Sequence, residues 1–161
     1  SYLWTTPTSL PKIDYSLWIQ CLSAAIGCIG FTVLFNIHGK GMFLCIIGGG
    51  LTWAVYGITF FLTHSEIVAY FVATLFAASY AEIMARIRKC PAIAYLVVSI
   101  FPLIPGAGIY YATSHLVAGD MTAFANQCSD TVSIAGAIAV GILIVSTIVR
   151  FRIIIQKHKL R

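Results

Sequence analysis

The sequence predicts an all-α, polytopic integral membrane protein with five transmembrane helices, the fourth of them broken at residues 102–106. Three observations carry that prediction. Of 161 residues, 60% are hydrophobic and only 9% are charged, whereas a soluble globular domain carries about 25% charged residues. Apolar stretches of about 20 residues, each long enough to cross a hydrocarbon core about 30 Å thick, recur along the chain. The ten Lys and Arg residues gather at the ends of those stretches and not on a soluble face. The net charge of +5 therefore reports orientation and is weak support for nucleic acid.

Residues 1–16 read as an outer segment, with Trp4, Pro7 and Pro11, and Trp18 just beyond, as anchors at the headgroups. A cleaved signal peptide fits less well. The segment lacks a positively charged n-region, and the apolar run that follows is long enough to span. The first span covers residues 17–37 and carries Thr32 and Asn36 one turn apart near its end, suited to an interhelical hydrogen bond or to substrate contact.

The second span, 41–62, holds Gly48, Gly49 and Gly50. In lipid, glycines permit a tight helix crossing or a local opening, although each would cost a soluble helix about 1 kcal/mol relative to Ala. The third span, 66–85, carries Ala73, Ala77, Ala81 and Ala85 at four-residue spacing. Such a stripe lets a neighbouring backbone approach closely. The fourth span, 91–118, is long and interrupted. Residues 119–130 read as an outer turn, because Gly, Asp, Asn, Gln and Ser dominate there. The fifth span, 131–150, repeats small residues at Ser133, Ala137 and Gly141. The transmembrane domain runs over 17–152, and 153–161 form a basic tail.

On alternate sides of these spans, Lys40, Arg86, Arg88, Lys89, Arg150, Arg152, Lys157, Lys159 and Arg161 fall together, with Lys12 opposite. The positive-inside rule then places the C-terminus in the cytoplasm and the N-terminus outside, in a plasma or inner cell membrane.

Most of the chemistry is expected at the break. Pro102 lies 11 residues beyond Pro91, which at 1.5 Å per residue puts it roughly 17 Å into the membrane. Pro102 and Pro105 each remove a backbone donor and disfavour helix in the preceding residue, while Gly106 and Gly108 relax the backbone. A second half-helix would then start near Gly106 with free N–H groups at mid-depth, an end that favours a carboxylate. Tyr110 and Tyr111, and a turn later Ser114 and His115, could add hydrogen bonds. Broken helices near the midplane are a recurring way to build a transport site. The competing reading is a proline kink that only shapes packing.

Two side chains are candidates for proton coupling. Glu82 is the one carboxylate placed within a span, and Arg86 four residues later offers it a simple helix-end ion pair instead. His115 is the other candidate. His64 and His38 read as interfacial, and His158 belongs to the tail.

No metal, nucleotide or other cofactor is expected, and neither is enzyme activity. The five cysteines, Cys21, Cys28, Cys45, Cys90 and Cys128, form no C-x-x-C pair and read as small hydrophobes. Metal-protease, phosphate-loop and nucleophile-elbow motifs are missing. Ser114 beside His115 cannot serve as a nucleophile–base pair, since adjacent helical residues point apart.

Gly30-Phe31 with Phe35-Asn36 late in the first span, the glycine cluster in the second, and Pro102-x-x-Pro105-Gly106-x-x-x-Tyr110 in the fourth resemble the small membrane subunit of the threonine/serine exporter family. The resemblance runs from about residue 17 to 152, and the double tyrosine and Gly108 depart from it. It implies the second, five-span half of an exporter whose larger partner subunit carries a soluble domain and the first membrane half. It also implies export of threonine and serine, or of a dicarboxylate such as succinate. The proton gradient is the expected driving force, because the sequence carries no nucleotide-binding motif. Pro102, Pro105, Gly106, Gly108, Tyr110, Tyr111 and Asn36 are the expected substrate-binding residues. Two alternatives remain: a structural subunit that stabilises the partner without touching substrate, and a self-assembling channel.

Overall fold

Six α-helices and one short 3-10 turn account for the computed structural model, which describes residues 17–37, 39–89 and 91–159; no strand occurs among them. They are α1 (Leu17–Leu34), α2 (Lys40–Thr63), α3 (Glu66–Arg88), α4 (Ala92–Ile100), the 3-10 turn Phe101–Leu103, α5 (Gly106–Val117) and α6 (Met121–Lys159). The sequence-based readings of Trp4, Pro7, Pro11, Lys12, His38, Cys90 and Arg161 lie outside the described residues. By length and composition α2, α3 and α6 can each cross a membrane, and the bent pair α4 and α5 adds a fourth crossing if the two helices form one span. The all-α, multi-pass architecture stands. The count of five rests on α1, whose 18 residues sit at the short end of the range of about 17–25 for a span.

Boundaries differ from the sequence reading in several places: α3 runs on to Arg88, past the expected 85, and α6 to Lys159, past the expected 150, and two further differences have a visible cause. The first span ends at Leu34, because the chain then closes a Schellman turn: Ile37 donates its N–H to Thr32 O (2.9 Å) and Asn36 to Val33 O (3.1 Å). Asn36, with φ 57°, takes the left-handed position that ends helices and that asparagine tolerates. Thr32 donates within its own helix, to Ile29 O at 2.7 Å.

The second difference is larger. Residues 121–130 are helix and not loop, so α6 extends over 39 residues, or about 58 Å at 1.5 Å per residue. The turn before it shrinks to residues 118–120. Gly119, with φ 80°, ends α5 in another Schellman turn, with Asp120 N–H to His115 O and Gly119 N–H to Leu116 O. Asp120 then caps α6, its Oδ1 accepting the Ala123 N–H at 2.9 Å. The polar residues that suggested a loop, Asn126, Ser129 and Asp130, are exposed on the helix.

Packing centres on α3, which touches α2, α4 and α6. Its predicted alanine stripe is buried: Ala73 and Ala77 are fully covered, with Ala81 and Ala85 nearly so. Ala81 and Ala85 pack with Cys28, Cys45, Tyr95 and Val98, whereas Ala73 and Ala77 pack with Ile134 and Ile138 of α6 and with Ile100 and Leu103 at the break. The α6 stripe is shifted. Ser133 is exposed, and Gly141 is the member that meets α3, where an added Cβ would stand 3.0 Å from Thr74 Cγ2.

The glycine cluster is a crossing point. A Cβ at Gly48 would stand 2.5 Å from Tyr80 Cε1 and 2.6 Å from Ser99 Oγ, one at Gly49 would collide with the Cys28 sulfur, and one at Gly50 would touch Ala25. Successive glycines thus admit α3 with α4, and then α1, against the backbone of α2. Ala77→Leu is expected to lower stability by about 1–3 kcal/mol, the cost of overpacking a filled core. Thermal unfolding of the purified protein in detergent checks this, and an unchanged midpoint would mean that the small side chain does not set the α3–α6 spacing.

Candidate functional site: the break between α4 and α5

The break forms because two prolines remove donors that the helix needs, and the chain supplies replacements. Pro102 has no N–H for Val98 O, and the Cys28 thiol donates to that carbonyl instead at 3.5 Å. Pro105 likewise has none for Phe101 O, which accepts from Ile104 N–H at 3.1 Å. Ile104, preceding a proline, is extended (φ −63°, ψ 123°). Pro105 (φ −76°, ψ 57°) is the centre of an inverse γ-turn, in which Gly106 N–H donates to Ile104 O at 2.7 Å. Leu103 is fully buried and pins the turn between α3 and α6.

Beyond this turn the axis bends by 50°, and α5 packs on α6. Gly108 makes the contact possible: a Cβ there would stand 2.6 Å from Thr131 Oγ1. The opposite side of α5 is open. A Cβ on Gly106 would meet nothing within 4 Å, Ala107 is exposed, and Tyr110 is 67% exposed. Tyr110 stands edge-on to Tyr111, ring centroids 5.4 Å apart at 76°.

The second half-helix therefore starts where the sequence placed it, but its donors differ from those expected. Gly106 N–H is spent on Ile104 O and Ile109 N–H on Pro105 O (3.2 Å). Ala107 and Gly108, in the first turn, have no intrahelical acceptor and lie at the positive end of the helix dipole.

The structure brings Pro102, Pro105, Gly106, Gly108, Tyr110 and Tyr111 to one stretch of chain and leaves the other candidates apart. Asn36 is exposed beyond the end of α1. Glu82 is half-buried near the Arg88 end of α3, and closes no ion pair with the exposed Arg86 among the described residues. His115 is half-buried in the last turn of α5.

Three polar residues escaped the sequence reading. A groove of about 690 Å³ is lined by Ile19, Gln20, Ser23, Ala24, Trp53 and Pro102, so it runs from α1 and α2 to the break. Trp53 Nε1 donates to Gln20 Oε1 at 3.2 Å, and Ser23 Oγ donates to Ile19 O at 2.9 Å. The available signal was Trp53 itself, an indole donor well inside an apolar helix, which needs an acceptor. The hydroxyls of Thr52 and Ser99 are buried and find no partner among the described residues, whereas Ser23, Thr63, Thr74, Thr131 and Ser133 each donate to a carbonyl one turn back.

Comparison with known proteins adds one finding. Residues 20–148 match the family model described as Threonine/Serine exporter, ThrE, a stretch that includes the glycine cluster, the break and most of α6. No curated protein and no solved structure was found to match the chain.

Proposed function

The chain belongs to the threonine/serine exporter family, and from that premise we propose that it is the membrane subunit of a secondary exporter of small carboxylated metabolites. In this reading the substrates are threonine and serine or a dicarboxylate such as succinate. Transport runs by alternating access, with a larger partner subunit supplying the other membrane half.

A single observation carries the reading: an exposed amino end of α5, partway along the bent pair. Backbone donors at membrane depth are not left to acyl chains, where each unsatisfied group costs several kcal/mol. They face water or protein. An aqueous path on this side gives a carboxylate access to the Ala107 and Gly108 N–H groups, past a glycine with no side chain in the way. Pro102 and Pro105 hold the turn rigid, and Tyr110 orients the ligand. A partner subunit seated over Ile104, Ile109 and Tyr110, all exposed, would close the path on its other side.

Protons are the proposed driving ion, moved through Glu82 or His115 or through the partner. Both residues lie away from the break, so either would act by changing the state of the bundle. In the proposed topology the C-terminus is cytoplasmic in a cell membrane, because Arg86 and Arg88 lie in the last turn of α3, and Arg150 and Arg152 lie toward the C-terminal end of α6, on the side that the positive-inside rule makes cytoplasmic.

Coexpression with a larger exporter subunit, followed by efflux of labelled threonine, serine and succinate, tests the reading. Efflux that requires both chains supports it. Efflux through this chain alone indicates a channel, and a photoreactive substrate that labels only the partner indicates a scaffold.

A further inference from the structure

We propose that the C-terminal ends of α3 and α6 together bind the headgroup of an anionic phospholipid, with Lys89 and Arg152 on its phosphate and the apolar side chains around them against its acyl chains. The inference requires only that both helices cross a membrane, and no step of transport enters it.

Contacts fix the register of the two helices. Gly141 lies against Thr74 and Phe71: an added Cβ would stand 3.0 Å from Thr74 Cγ2 and 3.5 Å from Phe71 O. Further back along both helices, Ile67, Val68 and Phe71 share a groove with Ser133, Gly136, Ala137 and Val140. α3 and α6 therefore run side by side in the same direction, with residue 74 level with 141. Arg86, Arg88 and Lys89 are 12, 14 and 15 residues past Thr74, and Arg150 and Arg152 are 9 and 11 past Gly141. At 1.5 Å per residue all five fall in a band roughly 14–23 Å further along the pair, on helices whose axes lie about 8–10 Å apart where they touch. Two basic clusters far apart in sequence thus become one patch.

Two of the cations border the seam between the helices. Arg152 stands two turns beyond Val145, on the α6 stripe of Ile134, Ile138, Gly141 and Val145 that is buried. Lys89 closes α3, five turns beyond Phe71. All five cations are exposed, and so are Ile87, Phe151, Ile153 and Ile154 among them. Glu82, half-buried at the near edge of the band, offsets one of the five charges. The mixture decides the occupant. A soluble polyanion or an acidic protein segment would pair with the cations and leave the isoleucines and Phe151 in water, whereas a phospholipid covers both. Arg offers a phosphate two parallel N–H donors, and Lys adds a point charge. A zwitterionic headgroup brings a cation of its own, which the patch repels, so the lipid is an anionic one.

Native mass spectrometry of the full chain, released from nanodiscs holding equal amounts of phosphatidylglycerol and phosphatidylcholine with the same acyl chains, tests this. Phosphatidylglycerol should be the lipid retained. Arg152→Gln and Lys89→Asn should each weaken its binding about 5-fold, the equivalent of about 1 kcal/mol per basic residue at an anionic surface, and Arg152→Lys should lose less than Arg152→Gln. Asparagine tolerates the left-handed backbone of residue 89 (φ 52°), and Arg152→Gln keeps the test open if that variant fails to fold. Equal retention of the two lipids, or an unchanged preference in both variants, would overturn the site. Inorganic phosphate that displaces phosphatidylglycerol as effectively as added lipid does would show a free-anion site and overturn the lipid assignment. Efflux plays no part in this readout, so its failure and that of the transport reading are distinguishable.

Discussion

Gly106→Leu is expected to stop export while the protein still folds and inserts. Space around Gly106 decides both halves of that expectation. An added Cβ meets nothing within 4 Å, so the chain has room for a side chain, and a helix former in the first turn does not oppose α5. Those branches would instead fill the approach to the Ala107 and Gly108 amides. Efflux should fall by about 100-fold or more, the penalty for displacing a ligand by about 1 Å from its fixed partners. Yield, thermal midpoint and detergent gel-filtration profile should match the wild type. Normal efflux from this variant would remove the start of α5 from the transport path.

Gly108→Ala should act from the other side of the same helix. Its Cβ would stand 2.6 Å from Thr131 Oγ1 and 3.3 Å from Thr131 Cγ2, so α5 must lift from α6 and carry its amino end with it. A loss of export comparable to that of Gly106→Leu follows, again about 100-fold. The distinguishing feature is rescue. Thr131→Ala removes both colliding atoms and leaves Cβ at 3.4 Å, an ordinary contact, so the double variant should recover most of the efflux. Thr131→Ala alone gives up only a bond to Gln127 O and should be close to wild type. Failure of rescue would place the effect of Gly108 somewhere other than the α5–α6 contact.

The break was legible in the sequence because its causes are local. Two prolines three residues apart and the glycine after them dictate a turn wherever they occur, and α5 begins at Gly106 as that chemistry requires. The alanine stripe of α3 was legible for a similar reason, since four-residue spacing puts small side chains on one face. What depends on distant partners was not. Nothing near Gly108 in sequence names Thr131 as its neighbour, and Gln20 and Trp53 meet across 33 residues. The start of α6 was misread because Asn126, Gln127 and Asp130 look like loop residues, although Asp120 had already capped a helix. Asn36 also closes α1 in the left-handed region, a conformational use that its spacing from Thr32 did not suggest.

The central claim is that the amino end of α5 opens to water and meets the substrate. Ala107→Cys, treated with a membrane-impermeant maleimide and read at that peptide by mass spectrometry so that native cysteines do not interfere, tests it most directly. The account predicts that position 107 is modified in the complex and that threonine or serine protects it in proportion to occupancy. A thiol at 107 that never reacts, or that reacts equally with and without substrate, would contradict it.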